Sequence, residues 1–122
     1  MCELIHNLLG WKMDRIILAE RFDLSLYDDR GHMVVYIETK TPTRDLTKRD
    51  RRSFFNRTRP YGTIKHAIIT NGYQWERYRG TGNGIEQEPE VKLLIFDKRS
   101  PSRRQMRKFF KPLQAKYYTI EG

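Results

Sequence analysis

At 122 residues the chain has room for one domain with one core, which excludes a catalytic domain joined to a motor. Its net charge of +9 is uneven: residues 1–40 hold five Lys and Arg against seven Asp and Glu, and the other 82 hold nineteen against eight, which fits an acidic pocket set in a surface that attracts polyanions. Cys2 stands alone, which excludes an intrachain disulfide and a thiolate zinc cluster, and with no long apolar span or signal-peptide pattern the expectation is a soluble, cytoplasmic protein away from membranes.

Leu4, Ile5, Leu8 and Leu9 share one helical face, and Gly10 follows where helices commonly stop, so an opening helix carrying Glu3 is expected. The run Ile16-Ile17-Leu18-Ala19 reads as a first strand, and Glu20 with Arg21 forms a bend. Two alternating segments follow, from Phe22 to Tyr27 and from Val35 to Lys40, joined as a hairpin by the turn formers Asp28-Asp29-Arg30-Gly31 and ended by Thr41-Pro42. Residues 43–59 hold seven Lys and Arg against two Asp and predict a polar helix, with Thr43 as N-cap, Asp45 in the first turn and Leu46, Phe54 and Phe55 buried. His66 to Thr70 and Tyr73 to Tyr78 read as strands about an Asn71-Gly72 turn, with Trp75 in the core. The glycines at 80, 82 and 84 lack a following Gly-Lys-Ser/Thr and are taken as a loop. Val91 to Phe96 is the last strand, and Ser100 as N-cap with Pro101 starts a helix whose buried stripe is Met106, Phe109, Phe110 and Leu113.

The chemistry concentrates on the hairpin. With a two-residue loop Asp23 stands opposite Glu38; with a four-residue loop it stands opposite Tyr36 and diagonal to Glu38. In both registers Asp23, Glu38 and Lys40 share one face. Two carboxylates with an ammonium suit a divalent metal and an attacking water, the needs of phosphodiester hydrolysis, and oxygen ligands select Mg²⁺ or Mn²⁺ over zinc. Thr39 points the other way and offers its backbone carbonyl as a further ligand. An ordinary solvated face with cross-strand ion pairs is the competing reading. The candidate phosphate contacts are Lys48, Arg49, Arg51 and Arg52 on the first basic helix, and Arg103, Arg104, Arg107 and Lys108 on the last. His6, His32 and His66 have no metal-ligand spacing and receive no role.

Four stretches carry a resemblance: Glu3 through Leu8-Leu9-Gly10-Trp11, Phe22-Asp23, Val35-Tyr36-Ile37-Glu38-Thr39-Lys40, and Ile68-Ile69-Thr70-Asn71-Gly72-Tyr73-Gln74-Trp75. With the order of elements, they make the chain resemble the PD-(D/E)XK nuclease core, and more narrowly the N-terminal nuclease domain of type I restriction enzyme motor subunits. The resemblance implies a single α/β (α+β) domain over residues 1–122, with a restriction-endonuclease-like central mixed sheet of five to six strands flanked by helices. It implies Asp23 and Glu38 as metal-binding acids, Lys40 as the catalytic lysine and Glu3 as a first-helix acid facing the same site; Glu20, next to this constellation, is a substitute for Glu3. Phe22 replaces the family's proline, and Arg51-Arg52-Ser53-Phe54-Phe55-Asn56 lacks the Gln-x-x-x-Tyr signature. The expected function is a Mg²⁺-dependent DNA endonuclease that works as a homodimer or within a larger restriction complex. The alternatives are a non-catalytic module binding DNA or RNA and a protein-interaction domain of such a complex.

Overall fold

Apolar residues alternate with polar ones from Leu24 to Tyr27 and run almost unbroken from Met33 to Ile37 and from Ala67 to Ile69, the central strands of a sheet covered on both faces. A computed structural model describes residues 9–18, 23–95 and 102–119. Its elements are β1 (Ile16–Leu18), β2 (Leu24–Tyr27), β3 (Met33–Thr39), α1 (Lys48–Thr58), β4 (His66–Thr70), β5 (Gln74–Arg79), β6 (Val91–Leu94) and α2 (Arg103–Phe110). The strands form one six-stranded sheet in chain order, mixed because β3 and β4 run parallel and all other neighbours antiparallel. A parallel pair needs a crossover, and α1 supplies it. The architecture is the mixed sheet with flanking helices expected from the sequence. Among the described residues no helix is long and apolar enough to cross a membrane.

The strand registers sort side chains between two faces. On one face Leu24, Leu26, Val35, Ile37, Ile68, Trp75 and Leu93 pack with Trp11, Phe109 of α2, Leu113 and Ala115. The Trp11 indole N–H donates to the Leu113 carbonyl at 2.7 Å and ties the start of the described chain to its end. On the other face Ala67, Ile69 and Tyr78 pack with Leu46, Ile64, Ile85 and Phe54 of α1. Phe54 and Phe109 are both fully buried, and truncating either to alanine costs about 3–5 kcal/mol by the usual cavity penalty. The two helices therefore lie on opposite sides of the sheet.

Between β2 and β3, Asp28 organises the loop: its Oδ1 accepts from the N–H groups of Arg30 and His32, while its own N–H donates to the His32 carbonyl. Gly31 takes a φ of 78°, a left-handed conformation that glycine adopts without strain. The loop-end pairing of Tyr27 with Met33 differs by one residue from that of Leu26 with Val35, and this bulge gives the register Ser25↔Tyr36 and Leu24↔Ile37. Continued by one position, that register sets Asp23 opposite Glu38.

Several expected boundaries move: β3 runs from Met33 to Thr39, not from Val35 to Lys40, and β5 from Gln74 to Arg79, not from Tyr73 to Tyr78. Helix α1 starts after Thr47, not Thr43: the Thr47 hydroxyl accepts from Asp50 N–H while Asp50 Oδ2 accepts from Thr47 N–H, a reciprocal capping box. Asp45, expected in a first helical turn, instead accepts from the Tyr73 hydroxyl at 2.7 Å. Helix α2 is capped by Ser102 with Gln105 in the same reciprocal arrangement, so it starts at Arg103; the expected cap Ser100 and first residue Pro101, like Phe96 of the last strand, lie outside the described residues. At the β4–β5 turn Asn71 pairs with Gln74 instead of standing in the loop, because its Oδ1 accepts from the N–H groups of both Tyr73 and Gln74. Gly72, with φ at 100°, takes the first loop position.

Candidate functional site

Asp23 precedes β2, and Glu38 is the sixth residue of the seven-residue β3, so the antiparallel register brings two carboxylates to one end of the sheet on the α1 face. Their convergence is direct. The Tyr36 hydroxyl lies 2.9 Å from Glu38 Oε1 and 3.3 Å from Asp23 Oδ2, on the same face by strand alternation. Arg57, from the last turn of α1, places Nη1 3.2 Å from Asp23 Oδ2 and 3.3 Å from Glu38 Oε1. Lys40 Nζ stands 3.0 Å from Glu38 Oε2. That oxygen is sealed from solvent and has no aligned hydrogen bond, so the Lys40 contact is one of charge with charge, without a directed donor. The three residues expected to share a face do converge.

Thr39 contributes through its backbone. Its N–H donates to Asp23 Oδ1 at 3.2 Å, and in an extended strand the N–H and C=O of one residue project to the same side. Its carbonyl thus leaves β3 on the side of Asp23. Glu3 and Glu20, the other expected acids, lie outside the described residues. Among the described residues no three Asp, Glu, His or Cys side chains gather as a metal cluster; Asp23 and Glu38 form a pair beside the Thr39 backbone.

The face that carries the acids is not a solvated one. Glu38 is fully buried and Asp23 nearly so, because both sit under α1 on a face that the helix covers. Water reaches the cluster through its cations: the Lys40 side chain is 22% exposed and that of Arg57 40%. Burial raises the Asp23 pKa first, and the nearby Glu38 charge adds to this; the Thr39 N–H, Arg57 and Tyr36 pull the other way without cancelling it. The Tyr36 phenol is pushed upward too, by burial and then by the Glu38 and Asp23 charges, so it keeps its single hydrogen, which lies nearer Glu38 and is shared with Asp23.

Sequence reasoning missed Tyr36 and Arg57 as members of the cluster. Tyr36 was legible as the residue two before Glu38 on the same face. Nothing local marks Arg57 among the cations of its helix. A further buried acid, Glu76 of β5, also lies on this face, gripped by Arg51 through Nε at 2.9 Å and Nη2 at 2.7 Å and by the Tyr78 hydroxyl at 2.6 Å.

The expected nucleic-acid contacts divide. Lys48, Arg49 and Arg52 are exposed on α1, above the face that carries the acids. Arg51 is turned inward onto Glu76, its donors engaged. Lys48 and Arg52, with Phe55, Tyr78 and Lys92, line a cleft of about 500 Å³ at the β5–β6 side of α1. Arg103, Arg104, Arg107 and Lys108 are exposed on α2, across the sheet from Asp23 and Glu38, and so form a separate surface. His66, given no role, is half-buried with Nδ1 3.0 Å from Arg77 Nη1, and burial followed by the Arg77 charge holds its pKa down at about 4. Comparison with protein-family models, with curated proteins and with solved structures finds no match to this chain.

Proposed function

We propose that the chain hydrolyses phosphodiester bonds in DNA as a Mg²⁺- or Mn²⁺-dependent nuclease of the restriction-endonuclease type. The observation that carries this reading is that Asp23 and Glu38, two buried carboxylates, share the Tyr36 hydroxyl and the Arg57 guanidinium while Lys40 stands on the free side of Glu38. Burying two like charges together is costly, and a purely structural face has no need of it. The fit to a hard divalent cation is chemical: the donors are all oxygens, and Glu38 Oε2 is a buried acceptor without an aligned donor. Asp23, Glu38 and the Thr39 carbonyl would hold the ion, which when bound polarises a phosphoryl oxygen and lowers the pKa of water.

The residues divide the remaining work. Tyr36 donates to Glu38 Oε1 and Asp23 Oδ2 and so fixes both carboxylate rotamers. The Thr39 N–H fixes Asp23 from the other side through Oδ1. Lys40 carries its ammonium where an attacking water would be oriented and where charge on the phosphoryl oxygens would build. Lys48, Arg49 and Arg52 supply phosphate contacts on the same side of the sheet. Plasmid and linear DNA incubated with Mg²⁺ or Mn²⁺ should be cut by the wild type and spared by Asp23→Asn and Lys40→Ala. Equal cutting by all three proteins would refute the reading. With one site per chain, cutting both strands calls for two copies or for a place in a larger restriction complex.

One observation favours a second reading. Arg57 occupies the carboxylate oxygens that a metal would use, which is the arrangement of a nucleic-acid-binding module that keeps the scaffold without turnover. Salt-sensitive DNA or RNA binding with no cleavage under any metal would establish that module.

A further inference from the structure

Three arginines meet carboxylates on the α1 side of the sheet, and they are held unequally. Arg51 grips Glu76 with two nitrogens at 2.9 and 2.7 Å, and Arg44 grips Asp50 with two at 2.6 and 3.0 Å. Arg57 instead divides a single nitrogen between Asp23 at 3.2 Å and Glu38 at 3.3 Å. Paired, short, charge-assisted bonds are strong and geometrically locked, whereas one donor shared at the long end of the range is neither. The Arg57 side chain is also more exposed than that of Arg51, 40% against 27%, so its guanidinium reaches water without unpacking the core. By its bonds, the arginine most easily released is the one lying on Asp23 and Glu38.

We propose that Arg57 is an internal counter-ion that holds Asp23 and Glu38 together until a divalent cation displaces it, and that the freed guanidinium then meets a phosphate of the bound polynucleotide. This rests on the hydrolytic reading above and assigns the regulation of that same site. Arg57 lies on one oxygen of each carboxylate, Asp23 Oδ2 and Glu38 Oε1, so a divalent ion held by the same two residues would compete with it for their charge. A doubly charged ion has the electrostatic advantage between two carboxylates, and the monodentate contacts it replaces are weak. Once displaced, Arg57 stays tethered in the last turn of α1 at the mouth of the site. There its planar fork of N–H donors suits phosphate oxygens. The acids would thus never stand uncompensated, and the arginine would engage substrate only when the metal is in place.

The test is Mn²⁺ binding by calorimetry to the wild type, Arg57→Ala and Arg57→Gln, with circular dichroism to verify the fold. Arg57→Gln keeps a hydrogen-bond donor beside the acids and serves should the alanine variant not fold. Removal of the competitor should tighten Mn²⁺ binding by about tenfold or more, since the wild type binds only from its arginine-released fraction. It should also weaken binding of a short DNA duplex in the presence of Ca²⁺, which holds the site without requiring turnover. Mn²⁺ binding that is unchanged or weaker in both variants overturns the gate and leaves the metal site standing. Mn²⁺ binding by the variants alone, with a silent wild type, supports the competition and overturns the hydrolytic reading. Absence of binding by all three proteins overturns both.

Discussion

Asp23→Asn should stabilise the metal-free protein. Asp23 Oδ2 and Glu38 Oε1 both contact the Tyr36 hydroxyl, so they lie no farther apart than two hydrogen bonds laid end to end. Two unit charges at about 6 Å repel by roughly 3 kcal/mol at an effective dielectric of about 20. Arg57 offsets part of this, but its half-exposed guanidinium is screened by water, and its attraction is correspondingly discounted. The net environment disfavours the ionised form of Asp23, burial being the largest cause. Asparagine keeps an oxygen for the Thr39 N–H and leaves Glu38 with both Arg57 and Lys40, so no buried charge loses its partner. The expected gain is about 1–2 kcal/mol, a rise in Tm of roughly 4–8 °C for a chain of this size, read by thermal denaturation in EDTA. With Mg²⁺ or Mn²⁺ at a hundred times its Kd, the wild type alone should gain about 2.7 kcal/mol and overtake the variant. A structural salt bridge predicts the opposite sign, because losing one partner of a buried pair costs several kcal/mol. A lower Tm for Asp23→Asn in EDTA would therefore refute the reasoning.

The two basic surfaces should separate in a salt titration of DNA binding. Replacing Lys48, Arg49 and Arg52 by alanine should reduce the slope of log K against log salt by about 2–3, near 0.9 for each lost phosphate contact; the matching substitutions at Arg103, Arg104, Arg107 and Lys108 should leave cleavage of plasmid DNA intact, and loss of cleavage there would contradict the one-sided site. Stability should fall on acidification through His66, which faces Arg77, Arg79 and Glu90 and lines a pocket with Lys111, Tyr117 and Tyr118. Its folded pKa of about 4 lies below the ordinary 6.5, so between these values the unfolded chain binds more protons and about 2–3 kcal/mol is lost as pH drops. Urea unfolding at pH 7, 5.5 and 4.5 checks this, and His66→Gln should flatten that limb. Gly80→Ala should cost about 3 kcal/mol, because a Cβ there would lie 1.8 Å from the Ile64 carbonyl oxygen, which is backbone and cannot swing aside; an unchanged urea midpoint would show that β5 tolerates the shift.

Much of the fold was legible because its signals are periodic. Alternation in β2 and β3 and the spacing of Met106, Phe109, Phe110 and Leu113 identify strands and helix together with the faces they bury. Boundaries were less legible, since rival signals stand close together. Thr43 and Thr47 both precede the basic helix, and long-range bonds decide between them: Asn71 Nδ2 donates to the Arg44 carbonyl, and Leu46 N–H donates to Gln74 Oε1. These bonds hold residues 44–46 outside the helix, and Thr47 with Asp50 then closes the cap. The one-residue shift at Asn71 has the same origin, a side chain that satisfies two backbone N–H groups of its own turn.

The site divides along the same line. A period of two was enough to gather Asp23, Glu38 and Lys40 on one face, because a hairpin keeps its partners close in sequence. It could not reveal whether that face meets water, which depends on where α1 lands after crossing the sheet. The alternation of polar with apolar residues suggested solvent; the helix covers the acids instead, and with burial comes the need for a cation. Lys40 meets that need locally, two residues from Glu38. Arg57 meets it from 34 residues beyond Asp23, a partnership that only the packed helix creates. The charge of α1 therefore divides in a way that composition cannot separate: arginines turned inward to neutralise buried acids, and cations turned outward to solvent, where the proposed nuclease would meet phosphate. Arg51 takes the first role and Lys48, Arg49 and Arg52 the second. Arg57, weakly held and half-exposed, has the geometry for both in succession, and Mn²⁺ binding with and without it is where the two roles part.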